Sequence, residues 1–212
     1  MQAACARSGR DPSSLTLVAV TKGLAPERVR EALAYGLTEL GENRVQEAQE
    51  KIAAVSAQHA RWHLIGHLQR NKVTRAVELF QVIQSVDSFA LAEAIARRSA
   101  QPMDMFLQVN VSGEATKFGC APEAAPALAQ RIAELPHLRL RGLMTIAPVA
   151  DDPEQARPHF RRLRKLRDEV TATLRLAPHT LQLSMGMSHD FDVAIEEGAD
   201  LIRVGTALFG SR

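Results

Sequence analysis

Lys22 follows the apolar run LTLVAV, as the middle residue of Thr21-Lys22-Gly23. A lysine that closes a buried strand is expected to point into the mouth that the strands enclose, partly desolvated. Desolvation lowers an ammonium's pKa and frees the amine to attack a carbonyl. Taken alone, a lysine snorkelling from a strand end is the commoner case. Two later segments shift that balance. SMGMS (184–188) offers the hydroxyls of Ser184 and Ser188 and a glycine ahead of a helix start. RVGTALFG (203–210) offers Gly205 and Thr206 where another helical turn can begin. Backbone N–H groups at such starts bind phosphate. Arg203 interrupts an apolar run, so it is expected inside the protein, where a guanidinium needs an acceptor. A pyridine nitrogen is one candidate acceptor. A carboxylate such as Asp87 or Glu42 is the other.

Other residues point to less. His63 and His67 lack a third partner at metal-ligand spacing, and a hydrogen-bonded histidine is the expectation. The basic stretch RPHFRRLRKLRDEV (157–170) carries Phe160, Leu163, Leu166 and Val170 at helical spacing, so an outer helix with a solvated face is expected, not a nucleic-acid patch. The formal net charge of +2 is too small to argue for nucleic acid or an anionic membrane. Aromatic residues are only 4%, too few for a base-stacking platform. No apolar run reaches membrane-spanning length, and the first residues lack a signal-peptide pattern. Cys5 and Cys120 are far apart and are expected as free thiols in a reducing compartment, the cytosol.

The elements that must hold these residues alternate along the chain. Strands are predicted at residues 15–20, 38–43, 62–66, 81–87, 105–111, 138–146, 180–185 and 201–205. Amphipathic helices follow each of the first seven, the first opening at Pro26 and closing at Gly36. The residues before Leu15 have the pattern of the end of a helix that covers the barrel after the last strand. Alternating β/α units imply a parallel sheet coated by helices. Eight of them predict a single (β/α)8 TIM-type barrel over residues 1–212, with an open doubly wound sheet as the alternative. In such barrels the working residues sit at the C-terminal ends of strands.

The motifs carry a resemblance. AVTKG (19–23), GENRVQE (41–47), WHLIGHLQRNK (62–72), SVDS (85–88), NVSGEATKFG (110–119), GLMTI (142–146), LSMGMSHDF (183–191) and IRVGTALFG (202–210) follow in order over nearly the whole chain. Together they resemble the pyridoxal phosphate homeostasis protein family, a group related to the barrel domain of alanine racemase (fold type III among pyridoxal phosphate proteins). The resemblance implies pyridoxal 5′-phosphate (PLP) held as a Schiff base on Lys22. It implies Ser184, Ser188, Gly205 and Thr206 around the phosphate, Arg203 facing the pyridine nitrogen, and Asn43 and Met144 near the ring. Apo forms of PLP-dependent enzymes become candidate recipients, and a barrel without the racemase's second domain is expected as a monomer. The chain departs from the family pattern at His67, where proline is common, and at Arg70, where serine is common; its N-terminal helix is also shorter. Two alternatives stay open: an amino-acid racemase using the same cofactor, and a barrel that binds a phosphorylated metabolite without covalent capture.

Overall fold

The computed structural model describes residues 1–210; Ser211 and Arg212, the last two residues of the expected domain, lie outside the described residues. Eight parallel strands close in sequence order: β1 (Thr16–Val20), β2 (Glu39–Glu42), β3 (Arg61–Leu64), β4 (Val82–Val86), β5 (Met103–Gln108), β6 (Leu138–Met144), β7 (Gln182–Met187) and β8 (Leu201–Val204). β1 pairs with β8 through Thr16–Leu201 to Ala19–Val204, which completes the barrel. The helices between them are α2 (Pro26–Ala34), α3 (Val45–Val55), α4 (Val73–Leu79), α5 (Phe89–Ala96), α6 (Ala125–Ala133), α7 (Arg157–Thr173) and α8 (Phe191–Glu196). A short α9 (Thr206–Phe209) follows β8. The fold is a (β/α)8 barrel, and the open-sheet alternative is excluded.

The period-2 alternation of a strand explains which residues meet inside. Val18, Val82, Phe106, Met144 and Leu201 form an apolar plug within the barrel. Two residues further along three of the same strands stand Val20, Gln108 and Arg203, which open on the C-terminal mouth. The opposite faces of the strands pack against the helices in the larger core. The four stripe residues of α7, Phe160, Leu163, Leu166 and Val170, are buried there.

One expectation about boundaries is corrected. The predicted strand over 105–111 ends earlier, at Gln108, so Asn110 lies in the loop after β5, where its Oδ1 accepts from Ser112 Oγ (3.1 Å) and from the Gly113 N–H (3.1 Å). The N-terminal helix, α1 (Gln2–Ser8), covers the outside of the barrel after the last strand, as expected: it packs against α8, and its first residues share a groove with Leu17 of β1, Val204 of β8 and Leu208 of α9. Arg10 holds it there, donating to the carbonyls of Ile195 (3.3 Å) and Ala199 (2.5 Å) and to Asp200 (3.3 Å).

At Gly186 the geometry demands glycine. Its φ is +92°, and an added Cβ would lie 2.5 Å from Ala194 Cβ. The β7–β8 register shifts between Ser184 and Met187 around it. Such a bulge re-aims the residues that follow, here Met187 and Ser188. Gly186→Ala is expected to destabilise the protein by about 2 kcal/mol or more, from strained backbone and overpacking together. The check is the urea midpoint of the variant against the wild type.

Candidate functional site

The C-terminal mouth holds a cavity of about 310 Å³, a size suited to a small ligand. Lys22, Asn43, Ser188, Arg203, Gly205 and Thr206 all line it. They come from the ends of β1, β2, β7 and β8, as the barrel geometry requires. Apolar walls come from Val20, Ile65, Phe118, Ile146 and Met187.

Each polar group has a local cause. β1 stops at Val20, and Thr21 is buried, so Lys22 is the first residue of the turn to reach solvent. This corrects the expectation of a desolvated amine: Lys22 is exposed at the rim of the cavity. The turn itself is clamped from below. Lys51, on α3 and almost fully buried, donates to the Thr21 carbonyl (2.6 Å), Glu42 Oε1 (2.5 Å) and Glu47 Oε1 (3.0 Å). Thr21 Oγ1 donates to the same Glu42 oxygen (2.6 Å), and the Gly23 N–H donates to Glu47. Burial pushes the Glu42 carboxyl above its usual range, against the opposing pull of Lys51 and Thr21. Asn43 is pinned differently: a Cβ on Gly66 would run into its carbonyl, so only glycine lets the β3 loop pass this close.

At the far wall, Ser188 Oγ accepts the N–H groups of Gly205 (3.1 Å) and Ala207 (3.2 Å) at the start of α9. The two amides converge on the Ser188 oxygen, and the same pair of N–H groups is suited to an oxyanion taking its place. Arg203 is 3% exposed. It donates through Nη1 to Ser184 Oγ (2.6 Å) and through Nη2 to the Thr145 carbonyl (2.7 Å). Neither Asp87 nor Glu42 is its hydrogen-bond partner, so the carboxylate option is excluded. Burial pulls its pKa down to about 10, with Asp190 opposing, and the side chain remains a cation at neutral pH. A buried cation with two neutral partners and spare N–H groups on a cavity wall is an unspent donor for a ligand.

The sequence comparisons agree with this geometry. Residues 9–212 match the family model described as the N-terminal domain of alanine racemase. The pyridoxal phosphate homeostasis protein of Aquifex aeolicus is 45% identical over 100% of this chain and 93% of its own. The protein of the same name from Pseudomonas aeruginosa is 46% identical over 97% of this chain and 88% of its own. The chain belongs to the pyridoxal phosphate homeostasis protein family. The structure of PipY from Synechococcus elongatus, solved with PLP bound, superposes with a TM-score of 0.86 at 39% identity, covering 99% of this chain and 98% of that one.

Two residues that the family resemblance assigned to the ligand do not line the cavity. Met144 is fully buried in the plug one layer down; Ile146, two residues on, reaches the mouth instead. Ser184 is also fully buried, paired with Leu201 across β7–β8, and serves Arg203 rather than the amide cradle. The departure at His67 has a visible role. Its ring stacks on Phe118 (centroids 3.9 Å apart, planes at 11°), joining the β3 and β5 loops over the mouth, and its Nδ1 lies 3.6 Å from Asp87. Arg70 is exposed and does not line the cavity. Sequence reasoning missed Gln108, Phe118 and His189 on the cavity wall and Lys51 beneath the turn. For Lys51 the one available signal was its i,i+4 spacing from Glu47.

His63 is held between Glu39 and Gln84, and burial keeps its pKa low. Among the described residues no cluster of three His, Cys, Asp or Glu side chains could hold a metal ion. No described helix is long and apolar enough to cross a membrane. Cys5 and Cys120 are free thiols. Burial and then the nearby Asp87 charge push the Cys120 thiol up to about 12, so slow reaction with Ellman's reagent is expected for it until the protein is unfolded.

Proposed function

We propose that this chain binds PLP in the mouth cavity, with Lys22 as the amine that captures it, and that it serves to hold and supply the cofactor in the cytosol, as a monomer, without turning over a substrate. The observation that carries this proposal is the convergence in one cavity of a primary amine, a backbone-amide cradle and a buried arginine. PLP offers matching groups: an aldehyde for the amine, a phosphate for the cradle of Ser188, Gly205 and Thr206, and a ring nitrogen for Arg203. Its aldehyde condenses with a primary amine, which is the chemistry the bound cofactor would supply. Arg203 would orient the ring and, being cationic, disfavour a proton on the ring nitrogen. Asn43 and the apolar walls would limit where the ring can lie. PLP seen in the PipY structure supports the proposal by kinship.

The test is direct. Purified protein mixed with PLP should gain visible absorption, and borohydride should bleach it while adding a phosphopyridoxyl group to the peptide that contains Lys22. Capture on another lysine, or none at all, would leave only non-covalent binding of a phosphorylated ligand.

The racemase alternative needs a proton-transfer group on each face of the bound substrate. Tyr35, the chain's single tyrosine, is 88% exposed at the end of α2 and far outside the cavity lining. With PLP loaded, no solvent deuterium is expected at the α-carbon of alanine or of any other amino acid in a panel. Exchange above the rate of free PLP would reinstate catalysis, with His67 and His189 at the mouth as the first groups to replace.

A further inference from the structure

A continuous line of side chains crosses the barrel interior from its N-terminal end to Arg203. Glu39 Oε2 lies 2.5 Å from His63 Nε2, and His63 Nδ1 lies 2.8 Å from Gln84 Nε2. Ser184 Oγ donates to Gln84 Oε1 at 2.6 Å, and Arg203 Nη1 donates to Ser184 Oγ at 2.6 Å. His63, Gln84, Ser184 and Arg203 are all at least 97% buried, and Glu39 opens on a small second cavity at the opposite end of the barrel. β2, β3, β4, β7 and β8 each contribute one residue.

The direction of every bond follows from the donor inventory. A guanidinium only donates, so Ser184 Oγ must accept from Arg203. The serine proton then goes to Gln84 Oε1. With its oxygen engaged, Gln84 turns its NH2 to His63 Nδ1, which must be the bare nitrogen. The ring proton is therefore on Nε2 and is donated to Glu39. Four donors thus point the same way, from the cation at the mouth to the carboxylate at the base.

We propose that Glu39, His63, Gln84 and Ser184 are positioning residues: a one-way hydrogen-bonded relay that locks the rotamer of Arg203 and so sets its contact with the ring nitrogen of bound PLP. The inference deepens the PLP proposal and rests on it for the ligand's identity. Three consequences follow. Ser184 acts behind Arg203 rather than on the phosphate. A neutral His63 is required, and besides Glu39 the charged groups around its end of the barrel are Arg61 on its own strand, Asp104 on β5 and Arg141 on β6. Changes at the base of the barrel should be felt at its mouth.

The experiment has two arms. In the ligand-free protein, nitrogen-15 NMR of His63 should show the neutral ring protonated at Nε2. In Gln84→Leu the Nδ1 resonance should move, because its donor is gone. With PLP added, Gln84→Leu and Ser184→Ala should bind on the order of tenfold more weakly, as expected for one lost hydrogen bond to a charged group. The absorption maximum of the bound cofactor should shift as well, while capture on Lys22 persists. Glu39→Gln keeps the volume at a partly exposed position, so it tests the relay without risk to the core. It should perturb the His63 resonances and give a smaller, same-direction spectral shift. A His63 ring protonated at Nδ1 or at both nitrogens overturns the relay. Wild-type affinity and spectrum in Gln84→Leu and Ser184→Ala also overturn it. Failure of the wild type to bind PLP sinks the ligand proposal instead, and the tautomer then still decides whether the relay exists.

Discussion

Lys22→Ala is expected to abolish the borohydride-stable PLP adduct completely. The rest of the cavity is untouched by the change: Ser188 still gathers the Gly205 and Ala207 amides, and Arg203 is held by Ser184 and Thr145. PLP should therefore still enter, held by phosphate and ring contacts alone, with affinity lower by on the order of a hundredfold, or about 2.7 kcal/mol. Because Lys22 is exposed, its removal opens no cavity in the core, and the thermal midpoint should stay within a degree or two of the wild type, as about 0.5 kcal/mol or less is typical at such positions. Intact-mass measurement after reduction checks the first statement and calorimetry the second. The same adduct on another residue of the alanine variant would remove Lys22 from the site.

Lys51→Met should have the largest effect on stability. Lys51 neutralises Glu42, whose Oε1 takes both Lys51 and Thr21 and whose Oε2 is buried without a hydrogen-bond partner. Removing one member of a buried pair leaves the other charged and unsatisfied, at a cost of about 3–5 kcal/mol. The loss should depend on pH. The Glu42 pKa already lies above its ordinary value of 4.5, with burial as the main cause, and loss of Lys51 raises it further. A folded-state pKa above the unfolded one means the native protein holds a proton that the unfolded chain releases. That contribution is intact below the unfolded pKa and disappears as pH rises through the folded one. The deficit of Lys51→Met should thus be smallest in acid and largest at neutral pH and above, by denaturant titration at each pH. Glu42→Gln in the same chain should recover much of the loss, since it removes the stranded charge. In Lys51→Met the Thr21-Lys22-Gly23 turn loses its direct tie at the Thr21 carbonyl, and Glu42 and Glu47, which hold Thr21 Oγ1 and the Gly23 N–H, lose the cation between them, so weaker PLP capture should accompany the instability.

These two residues also show what the amino-acid order revealed and what it hid. Lys22 was legible because it lies two residues past an apolar strand run, and the C-terminal ends of barrel strands converge. Ser188, Gly205 and Thr206 were legible for the same reason. The eight strands announced themselves by short apolar runs between amphipathic stretches, which is a local signal. Lys51 was not legible: on α3 it is one more charge between Glu50 and Ile52, and only the packing of that helix against β2 buries it. The acceptors of Arg203 were missed because they depend on register. Ser184 reaches it only through the pairing of β7 with β8, and Thr145 only through the end of β6. Met144, which the resemblance put near the ring, is in the plug while Ile146 lines the mouth; the residues alone give the inward face of a strand but not the depth along it. Lys22 was expected to be desolvated, and the turn that carries it begins one residue beyond the strand.

The closure of the barrel by β1 against β8 has a consequence for synthesis. The amine arrives with the first strand, while the guanidinium and the amide cradle arrive with the last, across the Val18–Arg203 pairing. A nascent chain emerging from the ribosome therefore carries Lys22 long before it carries the turn after β8 that would grip a phosphate. On the proposed function, cofactor capture can begin only once β8 has been made and has paired with β1, so the vitamer cannot template the early stages of folding and rewards only a closed barrel.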